Sequence, residues 1–130
     1  MPIETVRISK TGRDQLMTLK RRTGIPTWNV ICRWAFCLSL AESTKPHEHR
    51  GGMDQAIEIA WKTFAGEHDR LYLALLKERC LQDGLELTDE VLHEQLRLHV
   101  HRGISYLAGN KQMQSIADLV GLAASESCGA

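Results

Sequence analysis

The chain of 130 residues contains six histidines, whose imidazole side chains could bind a metal ion. His47 and His49 flank Glu48 in a polar stretch, and a His-x-His pair in a loop can supply two ligands to zinc. No third ligand stands at a suitable spacing, so we predict that the chain binds neither a metal nor another cofactor. Three further histidines are predicted to be packed or surface side chains: His93, His99 and His101.

Thiols are the other groups that could do chemistry, and the sequence contains four of them: Cys32, Cys37, Cys80 and Cys128. Since they form no Cys-x-x-Cys pair, we predict reduced thiols without a disulfide. Cys32 and Cys37 lie in an apolar stretch and are predicted to be packed. Cys80 has Lys77 and Arg79 nearby, and cations lower the pKa of a thiol, so Cys80 is the best candidate to carry a persulfide. The sequence has no Ser-His-Asp order, Walker loop or dinucleotide fingerprint, which favours a protein that is not an enzyme.

The charged residues are divided unevenly along a chain that is neutral overall. Residues 1–50 hold nine Lys and Arg against four Asp and Glu, whereas residues 51–130 hold seven against twelve. A basic front half predicts an anionic partner such as nucleic acid, although internal charge pairing would explain the same distribution. Arg33 could instead pair with a partner subunit. The candidates for phosphate contacts are Arg7, Lys10, Arg13, Lys20, Arg21, Arg22 and Arg33.

The elements that must position these cations begin with a short strand and a helix. Apolar and polar side chains alternate over residues 4–9, which is typical of a half-buried strand. The residues expected to point into the core are Val6 and Ile8, and those expected to point outwards are Thr5, Arg7 and Ser9. A helix should follow through about residue 22, capped by Ser9 or Thr11 and ended at Gly24. The three cations in its last turn also complement the helix dipole, which is a purely structural explanation for them.

A second helix is predicted over Trp28–Ala41, and it is apolar nearly all round. Such a helix should be buried on several sides. We predict that a second copy of the chain supplies the missing cover, the alternative being the later helices of the same chain. Pro26 should open this helix, with Thr23 or Thr27 as its cap. The segment from Asn29 to Phe36 also resembles the second helix of the ribbon-helix-helix family, in which a polar capping residue starts a helix that touches phosphate. A polar loop over 42–52 is followed by helices predicted over 53–64, 67–82, 89–108 and 112–122.

The order strand, helix, glycine turn and apolar helix is typical of the ribbon-helix-helix arrangement. There the strand pairs with one from another copy, and the ribbon enters the DNA major groove. We predict one mainly α domain over 1–130, with a basic ribbon-helix-helix-like part over 1–42 and an acidic helical part over 53–122. No apolar run reaches the ~20 residues that span a bilayer. With reduced thiols, this favours the cytoplasm.

Two stretches resemble the DndE family of DNA sulfur modification proteins. They are VRISKTGRDQLMTLKRRTGIPTWNVICRWAFCLSLAE at residues 6–42 and LHVHRGISYLAG at residues 98–109. The resemblance implies a helical homotetramer that binds DNA, preferably nicked duplex. It also implies that the chain works beside cysteine desulfurase, iron–sulfur and ATPase proteins that install a phosphorothioate. Family members bind DNA through surface basic residues, which by position are Lys10, Arg13, Lys20, Arg21 and Arg22.

Three hypotheses about function follow. The first is an oligomeric DNA-binding accessory subunit of a phosphorothioation system, which contacts duplex DNA through backbone phosphates. The second is a sulfur-relay enzyme that carries a persulfide on Cys80. The third is an assembly adaptor, in which the acidic back half docks a partner protein and DNA binding is incidental.

Overall fold

The fold is mainly helical, as predicted, and carries one small sheet. A computed structural model describes residues 3–46, 55–110 and 114–121 of the chain. Its elements are β1 (Thr5–Ser9), α1 (Lys10–Thr23), α2 (Trp28–Ala41), β2 (Gln55–Ala60), α3 (Trp61–Ala65), α4 (Asp69–Gln82) and α5 (Asp89–Gly109). A 3₁₀ turn links α3 to α4, and residues 116–121 are helical. None of the helices in these three ranges is long and apolar enough to cross a membrane.

The sheet pairs β1 with β2 of the same chain in antiparallel register. The prediction that β1 needs a strand from another copy is therefore wrong, and so is the predicted helix over 53–64, since its middle forms β2. Ile57 and Ile59 alternate with exposed residues in β2, and Ile59 is buried. This period of two is the strand signal that the helix prediction overlooked. Val6 and Ile8 of β1 are fully buried, as predicted.

The junction between β1 and α1 is fixed by Ser9 and by a histidine from the far end of the chain. The Ser9 hydroxyl accepts a hydrogen bond from the Gly12 N–H at 3.1 Å, which is the N-cap predicted for α1. The Ser9 N–H donates to His101 Nε2 at 3.1 Å. Ser9 was predicted to point outwards but is buried, because the register with β2 shifts between Ile8 and Ser9 and the alternation of the strand is broken there. Gly24 ends α1 with φ of 73°, as predicted.

The core lies where α2 packs against α5. Gly103 of α5 packs against the backbone of Ala35 in α2, so the main chains of the two helices are in direct contact. The ring of Phe36, the next residue of α2, lies close to two other aromatic rings: its centroid is 5.9 Å from that of Phe64 and 6.1 Å from that of Tyr72. The later helices of the same chain thus cover the inner face of α2. Its outer face remains half-buried at Val30 and other positions, and exposed at Cys37.

Two arginines hold the C-terminal end of α2 and the chain that leaves it. Arg79 of α4 is buried, donates to the carbonyls of Leu40 and Thr44 at 2.9 and 2.6 Å, and forms an ion pair with Asp83 at 3.1 Å. Arg102 of α5 donates to the Thr44 carbonyl at 2.8 Å. Cations at a helix C-terminus satisfy carbonyls that lack partners within the helix. The pair therefore ties α4 and α5 to the end of α2.

Candidate nucleic-acid interface

Helix α1 presents a cationic outer face. Leu16 and Leu19 are buried against the rest of the fold, and the helical period turns Lys10, Lys20 and Arg21 outwards, where all three are exposed. The side chains of these three cations make no hydrogen bond or ion pair within the described ranges. Their charge is therefore available to an anionic ligand.

The other predicted cations on this side of the molecule have partners within the chain. Arg22 is half-buried and its guanidinium donates to the carbonyl of Ala108 at 3.1 Å, so it joins α1 to the end of α5. Arg13 forms an ion pair with Asp14 at 3.6 Å. The predicted trio at the end of α1 thus divides into two exposed cations and one structural arginine.

Arg7 and Arg33 lie apart from that surface. Arg7 is exposed on β1, directly opposite Glu58 of β2, whose carboxylate offsets part of its positive charge. Arg33 lies on the outer face of α2, where it lines a groove of about 300 Å³ together with Trp34 and Cys37. The structure therefore does not bring the seven predicted cations together: Lys10, Lys20 and Arg21 are exposed together on α1, whereas Arg7 and Arg33 lie on other elements.

A groove beside the end of α1 was not predicted from the sequence. It has a volume of about 590 Å³ and is lined by Lys20, Arg21, Met17 and Trp28, among others. A second groove of about 350 Å³ lies on the other side of Lys20 and Trp28. An aromatic residue a few positions after a basic helix end, across a Gly-x-Pro turn, was the signal available in the sequence.

The N-cap of α2 is Thr27, one of the two threonines predicted for this position, although its side chain makes no capping hydrogen bond. The Asn29 amide does not cap the helix but donates to the carbonyl of Thr63 at 3.1 Å, because the end of α3 lies beside it. Asn29 is therefore not the capping residue that the ribbon-helix-helix resemblance implied.

The buried histidines are packing residues, as predicted. His99 is fully buried and its Nδ1 lies 2.8 Å from the Ser39 hydroxyl. Burial, followed by the charges of Arg79 and Arg102, lowers the pKa of His99 to about 4, so the ring is neutral at pH 7. Within the described ranges no three His, Cys, Asp or Glu side chains come together as a metal cluster. His47 and His49 lie outside the described residues.

The thiols are placed differently from the prediction in two cases. Cys32 is buried, as expected, and burial raises its pKa to about 12. Cys37, predicted to be packed, is exposed, because it lies on the outer face of α2. Cys80 is 1% exposed and burial raises its pKa, with Asp83 adding to the effect. A persulfide carrier needs an accessible thiolate, so the environment of Cys80 contradicts the relay hypothesis. Cys128 lies outside the described residues.

We expect Cys80 to resist alkylation in the native protein. Iodoacetamide at pH 7.5 should modify Cys80 at least about 100-fold more slowly in the native protein than in protein unfolded in urea, because the reagent needs both access and a thiolate. Peptide mass spectrometry of samples quenched over time measures the rate in both states. Rapid native modification of Cys80 would restore it as a candidate for sulfur transfer.

Comparison with known proteins defines the class to which this fold and its basic helix belong. The sequence profile of the family described as DNA sulphur modification protein DndE matches residues 5–115. The chain therefore belongs to the DndE family. It is similar to the crystal structure of DndE from Escherichia coli B7A, described as involved in DNA phosphorothioation modification. The two are 28% identical with a TM-score of 0.68, and the match covers 82% of this chain and 98% of that one. No curated protein sequence matches the chain.

Proposed function

We propose that the chain is a DNA-binding accessory subunit of a DNA phosphorothioate modification system. Membership of the DndE family and the similarity to the Escherichia coli protein support this role. The observation that carries DNA binding is that Lys20 and Arg21, at the end of α1, are exposed and that their side chains have no partner among the described residues. In this role the chain works beside cysteine desulfurase, iron–sulfur and ATPase proteins.

The proposed contacts are to phosphates rather than to base edges. A protein that assists sulfur insertion into the backbone needs access to phosphates, and such contacts position a protein without reading sequence. A nick makes a flexible point in a duplex, and a protein that responds to shape and deformability prefers such a site. Nicked duplex is therefore the proposed ligand. Several copies of the chain on one duplex multiply the few contacts that each one makes.

Reversing the charge of Lys20 and Arg21 should weaken DNA binding. The variant Lys20→Glu/Arg21→Glu is expected to bind duplexes of any sequence at least about tenfold more weakly, and the slope of log affinity against log salt should fall by ~0.9 for each lost phosphate contact. Gel shifts of intact, nicked and single-stranded DNA across a salt series measure both effects. Arg7→Ala should lower affinity only slightly and leave sequence preference unchanged, since Glu58 lies opposite.

The matched control is Arg70→Glu/Lys77→Glu, which makes the same change in net charge on α4. It should alter DNA binding far less than the variant on α1. If the two variants bind DNA equally well, then the position of the charge on α1 does not matter for binding. If the α1 variant has a lower melting temperature but binds DNA as the parent does, then Lys20 and Arg21 only stabilise the helix through its dipole. Either result would remove the main support for phosphate binding.

We further propose that the protein is a homotetramer in which the outer face of α2 contacts another copy. Trp34→Glu should break this assembly and leave the monomer folded, because Trp34 is only half-buried within its own chain. Phe36→Glu is not a suitable test, since Phe36 is fully buried in the core and the change should unfold the chain. Light scattering with circular dichroism separates dissociation from unfolding. A parent protein that is a folded monomer would contradict the proposal.

The adaptor hypothesis has one structural feature in its favour. Leu71, Leu75 and Leu81 are exposed on α4, in the acidic half of the chain, and exposed apolar side chains on one helix can bind a partner. If the parent protein shifts no nicked duplex at moderate salt, the adaptor function is favoured over the DNA-binding function, because an adaptor does not need DNA.

A further inference from the structure

Trp28 lies between the two grooves beside the end of α1, and Lys20 is the other residue that lines both. The indole is half-buried, and its Nε1 is buried without a hydrogen-bond partner among the described residues. The part of the ring that faces solvent is therefore hydrocarbon. This arrangement presents an aromatic surface at a groove rather than a hydrogen-bonding group.

The charges around Trp28 favour an anionic ligand. Lys20 and Arg21 line the larger groove, and their side chains are unpaired among the described residues. Asp14 also lines it, but its carboxylate lies 3.6 Å from the Arg13 guanidinium, which offsets its charge. The groove volume of about 590 Å³ lies in the range of ~300–1,000 Å³ that is usual for small-molecule sites. An aromatic ring beside cations matches a nucleobase with its phosphate.

We propose that Trp28 is a stacking surface for one unpaired nucleobase of the bound DNA. Lys20 and Arg21 contact the phosphate that flanks this base. The inference rests on the proposed DNA binding and deepens it: the base at a strand end beside a nick opens at a lower cost than a base inside an intact duplex, because the backbone holds it on one side only. Trp28 thus supplies a preference for interrupted duplex that phosphate contacts alone do not provide.

The test compares three fluorescent duplexes of one sequence by anisotropy at moderate salt: intact, with a one-nucleotide flap at a nick, and with the same flap made abasic. The parent protein should bind the base-bearing flap about 5- to 150-fold more tightly than the abasic flap. Trp28→Ala should lose this difference and bind both flaps as the parent binds the abasic one, with little change on intact duplex. Trp28→Phe, which keeps a ring, should retain most of the preference.

Tyr106→Ala is the matched control, because Tyr106 is an exposed aromatic residue of α5 that lines neither groove. It should keep the full preference for the base-bearing flap. Equal binding of the two flaps by the parent protein would overturn the proposal, and this arm needs no variant to fold. A Trp28→Ala protein that dissociates in light scattering would also overturn it, since the groove would then be a contact between copies. If the parent binds no DNA at all, the proposed function itself fails.

Discussion

Gly103→Ala is expected to lower the free energy of unfolding by about 3 kcal/mol or more, the upper part of the range for overpacked cores. A Cβ atom at this position would lie 2.6 Å from the Cα of Ala35 and nearer still to its carbonyl group. These are main-chain atoms, so no side-chain rotation can relieve the overlap, and α2 and α5 would have to separate. Urea unfolding followed by circular dichroism measures the change.

Gly109→Ala is the matched control for this prediction. Gly109 is the last residue of the same helix, and a Cβ there would meet nothing within 4 Å. Because alanine has the higher helix propensity by up to ~1 kcal/mol, this variant should be as stable as the parent or slightly more so. Equal stabilities for the two variants would show that the close contact between α2 and α5 does not exist in solution.

Arg79→Ala is expected to cost about 3–5 kcal/mol of stability. The substitution leaves the Asp83 carboxylate in a largely buried position without its cation, and it removes the donors to the carbonyls of Leu40 and Thr44. Unpaired buried charge is among the largest single sources of destabilisation. Thermal and urea unfolding at neutral pH provide the measurement.

Arg97→Ala offers the comparison for an arginine in a more exposed pair. Arg97 lies 2.6 Å from Glu94 one turn away on α5, and the Glu94 side chain is 45% exposed. Ion pairs of this kind contribute less than about 1 kcal/mol. If Arg79→Ala lowers the free energy of unfolding by no more than Arg97→Ala does, then the contacts of Arg79 with Asp83, Leu40 and Thr44 do not contribute the expected stability.

Much of the fold could be predicted because its signals are local. The Ser9 cap, the Gly24 stop and the α5 boundaries follow from neighbouring residues. The prediction failed at β2, where six residues contain a period of two that is too short to outweigh a helical pattern in the same window. Only the pairing with β1, some fifty residues earlier, makes this segment a strand, and pairing over such a distance has no local signature.

In the candidate site, too, the features with a local sequence signal could be predicted and those set by distant residues could not. Charge and helical spacing identified Lys20 and Arg21, which are exposed. The structural role of Arg22 could not be predicted, because its partner, the Ala108 carbonyl, lies 86 residues away in sequence. Trp28 was missed for a related reason: an aromatic residue in an apolar helix is usually core, and its position between two grooves depends on how α1 and α2 cross.

The pairing of β1 with β2 has a consequence for how the chain folds. In proteins whose strands pair only between subunits, folding is second order and the stability of each chain depends on its concentration. Here the sheet closes within one chain, so its formation is a unimolecular event. A newly made chain can complete its sheet at any dilution, and the proposed association with other copies would be a separate equilibrium from the folding of each chain.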